Sequence, residues 1–275
     1  MVGGQRLAIL FACLALGPGS ARGQQSPAPS ADEEAVQDAQ EPGSRLRAFA
    51  FQNNFDFGTG PADRTGYRFF FQPWQAEVGR GRWLRVKSFS AVPLLYRPDP
   101  LRPEGGTFGL GDPEISLFWS PAKTGTAVLG LGPVVRFPLA SDEALGSGKW
   151  SAGVSAIAVV RPRGWLLGVR SYNVWSFAGD ETRDDVAQFL LQPIVVRVLG
   201  NGWYLVSSPV VTADWRAPSS DQWLVPVGGG AGRLFRVGGR GLDLQLQAFY
   251  NVVHPETQPH ADWTLRFQLQ FLFKT

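Results

Sequence analysis

Apolar and polar side chains alternate with a period of two along much of this chain. The last segment is the clearest. Trp263, Leu265, Phe267, Leu269, Phe271 and Phe273 hold the odd positions, and Thr264, Arg266, Gln268 and Gln270 the even ones. Successive strand side chains point to opposite faces, so this segment reads as a strand with one greasy and one wet face. Leu242, Leu244, Leu246 and Ala248 against Asp243, Gln245 and Gln247 repeat the pattern. So do Phe49, Phe51, Phe55 and Phe57 against Gln52, Asn54 and Asp56. A tilted strand of about 9–11 residues is long enough to cross a membrane. Too few helical segments accompany these strands to cover their aromatic faces. The pattern therefore predicts an all-β fold, a closed antiparallel transmembrane β-barrel with a greasy outside and a polar inside.

Twelve strands are expected, near 45–57, 67–78, 82–96, 112–120, 126–138, 149–160, 165–177, 188–199, 203–215, 222–236, 241–252 and 262–273, with ten or fourteen as the alternative counts. Short links (79–81, 121–125, 161–164, 200–202, 237–240) alternate with mostly longer ones (58–66, 97–111, 139–148, 178–187, 216–221, 253–261). Outer-membrane barrels alternate in this way, with short periplasmic turns and longer external loops. An even strand count puts both ends of the barrel on the periplasmic side. The short links carry Arg80, Lys123, Arg161, Arg163 and Arg240, and the long ones Asp142, Glu143, Asp180, Glu181, Asp184 and Asp185. Pro73, Pro93, Pro193, Pro209 and Pro226 fall inside proposed strands. Proline donates no ladder hydrogen bond, so these positions must mark bulges or strand ends.

The first residues change the picture of where this barrel goes. Arg6 followed by the apolar run 7–17 and by Ala21-Arg22-Gly23 reads as a secretory signal over 1–23, too short to serve as a membrane anchor. Residues 24–44, rich in Gln, Ser, Ala, Pro and acids, read as a flexible periplasmic tail with a short helix in reach around 32–40. Residues 45–275 are the barrel. Cys13, the single cysteine, lies inside the apolar run, which leaves the remainder without disulfide or thiol chemistry. The net charge of +3 falls to about +1 once Arg6 and Arg22 are removed, and no basic helix or patch points to nucleic acid. After the signal, no run of about 18 apolar residues predicts a transmembrane helix.

Several segments are similar to a known family. Gly109-Leu110-Gly111-Asp112 followed by residues 115–123 (ISLFWSPAK), residues 145–150 (LGSGKW), residues 175–180 (WSFAGD), Gln192-Pro193 and Asn201-Gly202-Trp203 resemble Gram-negative outer-membrane barrels related to proteins of the MetA pathway of phenol degradation. Members of that family are often labelled transporters and sometimes, misleadingly, neuromedin U. The resemblance covers about 45–273. It implies a β-barrel that moves small molecules, without a firm substrate or established functional residues.

The remaining constellations carry little chemistry. His254 and His260 share the last long link with Glu256 and Asp262, but no regular element sets a ligand spacing, so no metal is expected. A serine hydrolase needs a histidine beside its serine, and these two histidines show no such pairing, so no enzyme activity is expected. Asp180, Glu181, Asp184 and Asp185 read as a solvated loop, with divalent ions bridging to lipopolysaccharide as the alternative. Gly228-Gly229-Gly230-Ala231-Gly232 lacks the following helix of a phosphate loop and reads as close strand packing. Ten tryptophans lie mostly near proposed strand ends, as aromatic girdles do. The lumen candidates are Gln52, Asn54, Asp56, Lys87, Arg170, Asp214, Asp243, Gln245, Gln247, Arg266, Gln268 and Gln270.

The expected function is passive passage of small solutes through this porin-like lumen, with Lys87, Arg170 and Arg266 against Asp56, Asp214 and Asp243 setting the local field. The alternative is a structural or adhesion-type barrel with a plugged lumen; an outer-membrane enzyme is disfavoured. Expected partners are outer-membrane lipid and lipopolysaccharide, the barrel-assembly machinery and a small solute of unknown identity. No cofactor is expected.

Overall fold

The computed structural model describes residues 30–41, 47–60, 62–73, 77–80, 84–99, 104–121, 127–238, 240–256 and 260–273. The proposed signal, Trp74, Trp83 and Lys123 lie outside the described residues, and so does the side chain of Lys87. In chain order a helix α1 (Ala31–Gln40) precedes β1 (Arg47–Thr59), β2 (Arg64–Gln72), β3 (Glu77–Arg80), β4 (Leu84–Pro98), β5 (Gly106–Leu110), β6 (Glu114–Pro121) and β7 (Ala127–Arg136). A single turn of 3-10 helix (Glu143–Leu145) leads to β8 (Lys149–Val160), β9 (Trp165–Gly179), β10 (Ala187–Gly200), β11 (Trp203–Ser207), β12 (Val211–Asp214), β13 (Trp223–Val237), β14 (Arg240–Val253) and β15 (Trp263–Phe273).

All pairings are antiparallel, and β1 closes on β15 from Arg47↔Phe273 to Phe57↔Trp263. Three pairs of segments are halves of one wall strand. β2 and β3 both pair with β4, β5 and β6 both pair with β4, and β11 and β12 both pair with β10 and β13. The wall is thus a closed antiparallel barrel of twelve strands. Closure matters because backbone groups at an open edge would face hydrocarbon unpaired.

The prolines explain the breaks. Leu191↔Val211 and Val195↔Ser207 fix the register of β10, which sets Pro193 opposite Pro209 where the ladder opens between β11 and β12. Pro93 meets the gap between β5 and β6, and Pro226 sits at a register shift against β14. Pro73 follows the end of β2. Each missing N–H falls where the ladder is already interrupted or ends. β5 corrects the reading of 97–111 as one loop: its outer part folds back on β4 and lengthens the wall.

Alternation decides the two faces. In β15, Trp263, Leu265, Phe267 and Phe271 are exposed, while Thr264, Arg266, Gln270 and Leu272 are buried in the lumen. The exposed tryptophans fall into two groups. Trp119, Trp165 and Trp203 lie toward the short-turn end, and Trp150, Trp175, Trp215, Trp223 and Trp263 toward the long-loop end. At the turn end, Arg197 and Arg233 lay their guanidiniums over Trp165 and Trp203, each 5.0 Å from the ring centroid. A long cation that covers an aromatic ring while reaching toward water suits a membrane interface.

Helix α1 falls where the sequence puts a short helix in reach around 32–40, but it is packed against the barrel and is not part of a flexible tail. Ser30 caps it by accepting from the Glu33 amide, and three acids occupy its first turn, where the helix dipole favours them. Its Val36 is fully buried among Phe89, Phe118, Ile157, Leu166, Ile194 and Val196 from the barrel wall. The helix therefore lies inside the lumen at the short-turn end.

Candidate functional site

The site is the lumen, a cavity of about 820 Å³ floored by Ala39 and Gln40 of α1. Three levels follow from the inward-facing positions of the strands.

The lowest level seats the helix. Gln37 donates to the Trp165 carbonyl (2.9 Å), and Gln270 donates to the Ala39 carbonyl (3.2 Å). Gln40 donates to Asp243 (2.9 Å) and to the Tyr204 hydroxyl (3.0 Å), while Gln245 donates to Gln40 (3.0 Å). The Tyr204 hydroxyl donates to Asp243 (2.8 Å), and its ring is fully buried. Gly232 makes room for that ring: a Cβ there would lie 2.2 Å from it. At the rim, Arg161 pairs with Asp38 (2.7 Å) and with Glu41, and the Gly164 amide donates to Glu33. Burial alone would pull the Arg161 guanidinium below its ordinary range; the Glu41 and Asp38 carboxylates outweigh it and hold it above.

The middle level is rich in arginine. Arg266 donates to Asn54 (3.0 Å) and to the Ser208 carbonyl (2.8 Å), with its guanidinium over Phe249. Gln247 donates to Ser208 (3.0 Å) and to Gln245 (2.6 Å). Arg170 stacks on Phe89 at 3.9 Å and lies 3.6 Å from Glu114. Arg136 is also 3.6 Å from Glu114, and it donates to Gln188 (2.7 Å) and Tyr172 (3.1 Å). Tyr172 donates to the same Glu114 (2.9 Å). Arg68 makes a two-pronged pair with Asp56 (2.5 and 2.8 Å), which also accepts from Thr264 (2.7 Å). Two parallel bonds of this kind are the strong form of an arginine–carboxylate pair.

At the mouth, residues 139–148 fold over the opening. Asp112 accepts from the Ser147 amide (2.7 Å) and hydroxyl (2.8 Å) and from the Ala140 amide (3.2 Å), and Leu145 is buried. Asp180 accepts from the Thr182 hydroxyl (2.7 Å) and amide, which holds its carboxyl below the usual range. Asp185 is held low by its bond from Ser176 and by Lys149. Two of the four acids in that loop are therefore engaged with protein groups. His254 and His260 stack, with ring centroids 3.8 Å apart.

Nine of the twelve lumen candidates line the cavity: Gln52, Asn54, Asp56, Arg170, Asp214, Gln245, Arg266, Gln268 and Gln270. Asp243 and Gln247 also face inward, but Asp243 belongs to the seat of α1 and Gln247 bonds to Ser208 and Gln245. Sequence reasoning passed over Arg68, Glu114, Arg136, Tyr172 and Tyr204. Period-two placement alone would have marked Arg68, two residues from Phe70 on the inward face; Glu114 begins a strand with weak alternation and gave no such signal.

No family model matches this chain, and no curated relative does. Among solved structures it resembles a COG4313 outer membrane channel from Pseudomonas putida F1, with TM-score 0.62 and 12% identity over 86% of this chain and 98% of that one. LpxR from Salmonella typhimurium (TM-score 0.44, 9% identity, 82% and 100%) and the β domain of the Bordetella autotransporter BrkA (0.38, 13%, 84% and 100%) are more distant. The first likeness shows the fold, a barrel of the outer-membrane type.

Proposed function

We propose that this chain is an outer-membrane channel that passes small solutes through its polar lumen. One observation carries the reading: a cavity of about 820 Å³, lined by polar and charged side chains, runs inside the wall from the loop end to α1. A barrel that served only as an anchor would gain nothing from keeping such a space. An apolar outer face between two aromatic groups supports placement in a bilayer, and the COG4313 channel of like fold supports the transport role. Helix α1 stands in the path at the short-turn end, so passage depends on its leaving its seat or on a route beside it.

The seating of α1 also favours a second reading, a structural barrel with a closed lumen. Refolding residues 24–275 into a planar bilayer separates the two. Discrete current steps, with a reversal potential under a salt gradient that reports the sign of the lumen field, are expected for the channel. Insertion without current, with or without α1, would leave the structural barrel.

A further inference from the structure

The middle of the lumen holds two guanidinium groups whose charge is incompletely met. Arg170 is 5% exposed, lines the cavity, and its Nη1 has no hydrogen-bond partner among the described residues. Its nearest carboxylate, Glu114 at 3.6 Å, is shared at the same distance with Arg136 and also accepts from Tyr172. Arg266 is buried too, and no carboxylate lies within 4 Å of it among the described residues. A bridge joins the two arginines: Arg170 donates to Gln192 (3.4 Å), and both Gln192 (3.5 Å) and Arg266 (2.8 Å) donate to the Ser208 carbonyl. Arg68 is different, because Asp56 neutralises it through two bonds. Apolar side chains share the cavity wall with these polar groups: Phe89 lies against Arg170 and Phe249 against Arg266, and Phe70, Ile194 and Val206 line the same cavity.

A buried guanidinium donor without an acceptor is costly, and a carboxylate meets its fork geometry well. We propose that the mid-lumen is a binding site for a small organic carboxylate with an apolar body. Its carboxylate sits between Arg170 and Arg266, and its body rests on Phe89, Ile194 and Val206. The site names a solute class for the proposed channel and so deepens that reading, yet binding does not require passage. Acetate would offer the charge without the body, and a primary amide the body without the charge.

Calorimetry on the refolded barrel in detergent tests this, with hexanoate, hexanamide and acetate titrated in low-salt buffer against matched micelle blanks. Saturable 1:1 binding of hexanoate is expected, with hexanamide and acetate at least ten-fold weaker. Arg170→Gln and Arg266→Gln should each weaken hexanoate at least ten-fold. Glu114→Gln, which removes the carboxylate competing for Arg170, should tighten it several-fold, a gain that misfolding does not produce. Equal binding of hexanoate and hexanamide, no hexanoate binding, or affinities indifferent to all three substitutions would overturn the proposal. Hexanoate binding without bilayer current would sink the channel and leave this site standing. Current without hexanoate binding would do the reverse.

Discussion

Replacing Val36 with aspartate should unseat α1 and leave the barrel standing. Val36 is fully buried against Phe89, Ile157, Leu166 and Val196. Burying a valine side chain stabilises by about 1.5–3 kcal/mol, which the variant forfeits. A carboxylate held there without a partner adds a penalty of several kcal/mol, whether it stays charged or takes up a proton. A shift of at least about 4 kcal/mol follows, roughly a thousand-fold in the ratio of seated to unseated helix. A helix unseated one part in a thousand would then be unseated about half the time. The wall ladder does not pass through α1, so heat-modifiable migration on gels, the usual sign of a closed barrel, should persist. Single-channel recording of V36D beside the wild type is the assay, with open occupancy rising by two orders of magnitude or more. A V36D barrel that remains closed on gels yet conducts within two-fold of the wild type would refute the reasoning, because α1 would then not control the path.

Three further outcomes follow from other parts of the structure. Arg161→Gln removes an ion-pair partner of Asp38 and of the buried Glu41; α1 should loosen by about 2–4 kcal/mol, read as faster protease cleavage within 31–41. Gly232→Val drives a side chain into the Tyr204 ring and should cost about 1–3 kcal/mol, lowering the temperature at which the barrel unfolds in detergent. Asp180 and Asp185 have carboxyls held below their ordinary value by Thr182, Ser176 and Lys149. A depressed acid adds order that is present above the unfolded value of about 3.9 and is lost as pH falls through the lower folded value. Amide protection across 180–186, with the intrinsic pH dependence of exchange divided out, should therefore hold steady between pH 7 and 5 and fall only below about pH 4; a loss of protection already at pH 6 would contradict it.

Local alternation was enough to read the wall. Period two is written into each strand separately, so the greasy and wet faces of β1, β14 and β15 and the alternation of short and long links all stand in the sequence. The family named by the resemblance is not shown, although the likeness to the Pseudomonas channel supports the barrel it implied. Pro193 and Pro209, read as bulges or strand ends, turned out to face one another across a gap in the ladder, a relation that exists only once the register between distant strands is set.

The site needed the third dimension. α1 is mostly polar, with Val36 its one large apolar residue, and nothing in its composition says that it will be held indoors. Its partners Trp165, Tyr204, Asp243 and Gln270 lie 128–231 residues away. Likewise, sequence marks Arg170 and Arg266 alike as inward cations, and the structure adds Arg68 to the same face. Closure of the barrel gives Asp56 to Arg68, divides Glu114 between Arg136 and Arg170, and leaves Arg266 to neutral amide, hydroxyl and carbonyl groups. The face a side chain takes is a property of its own strand; the charge it meets is a property of strands brought beside it by the fold.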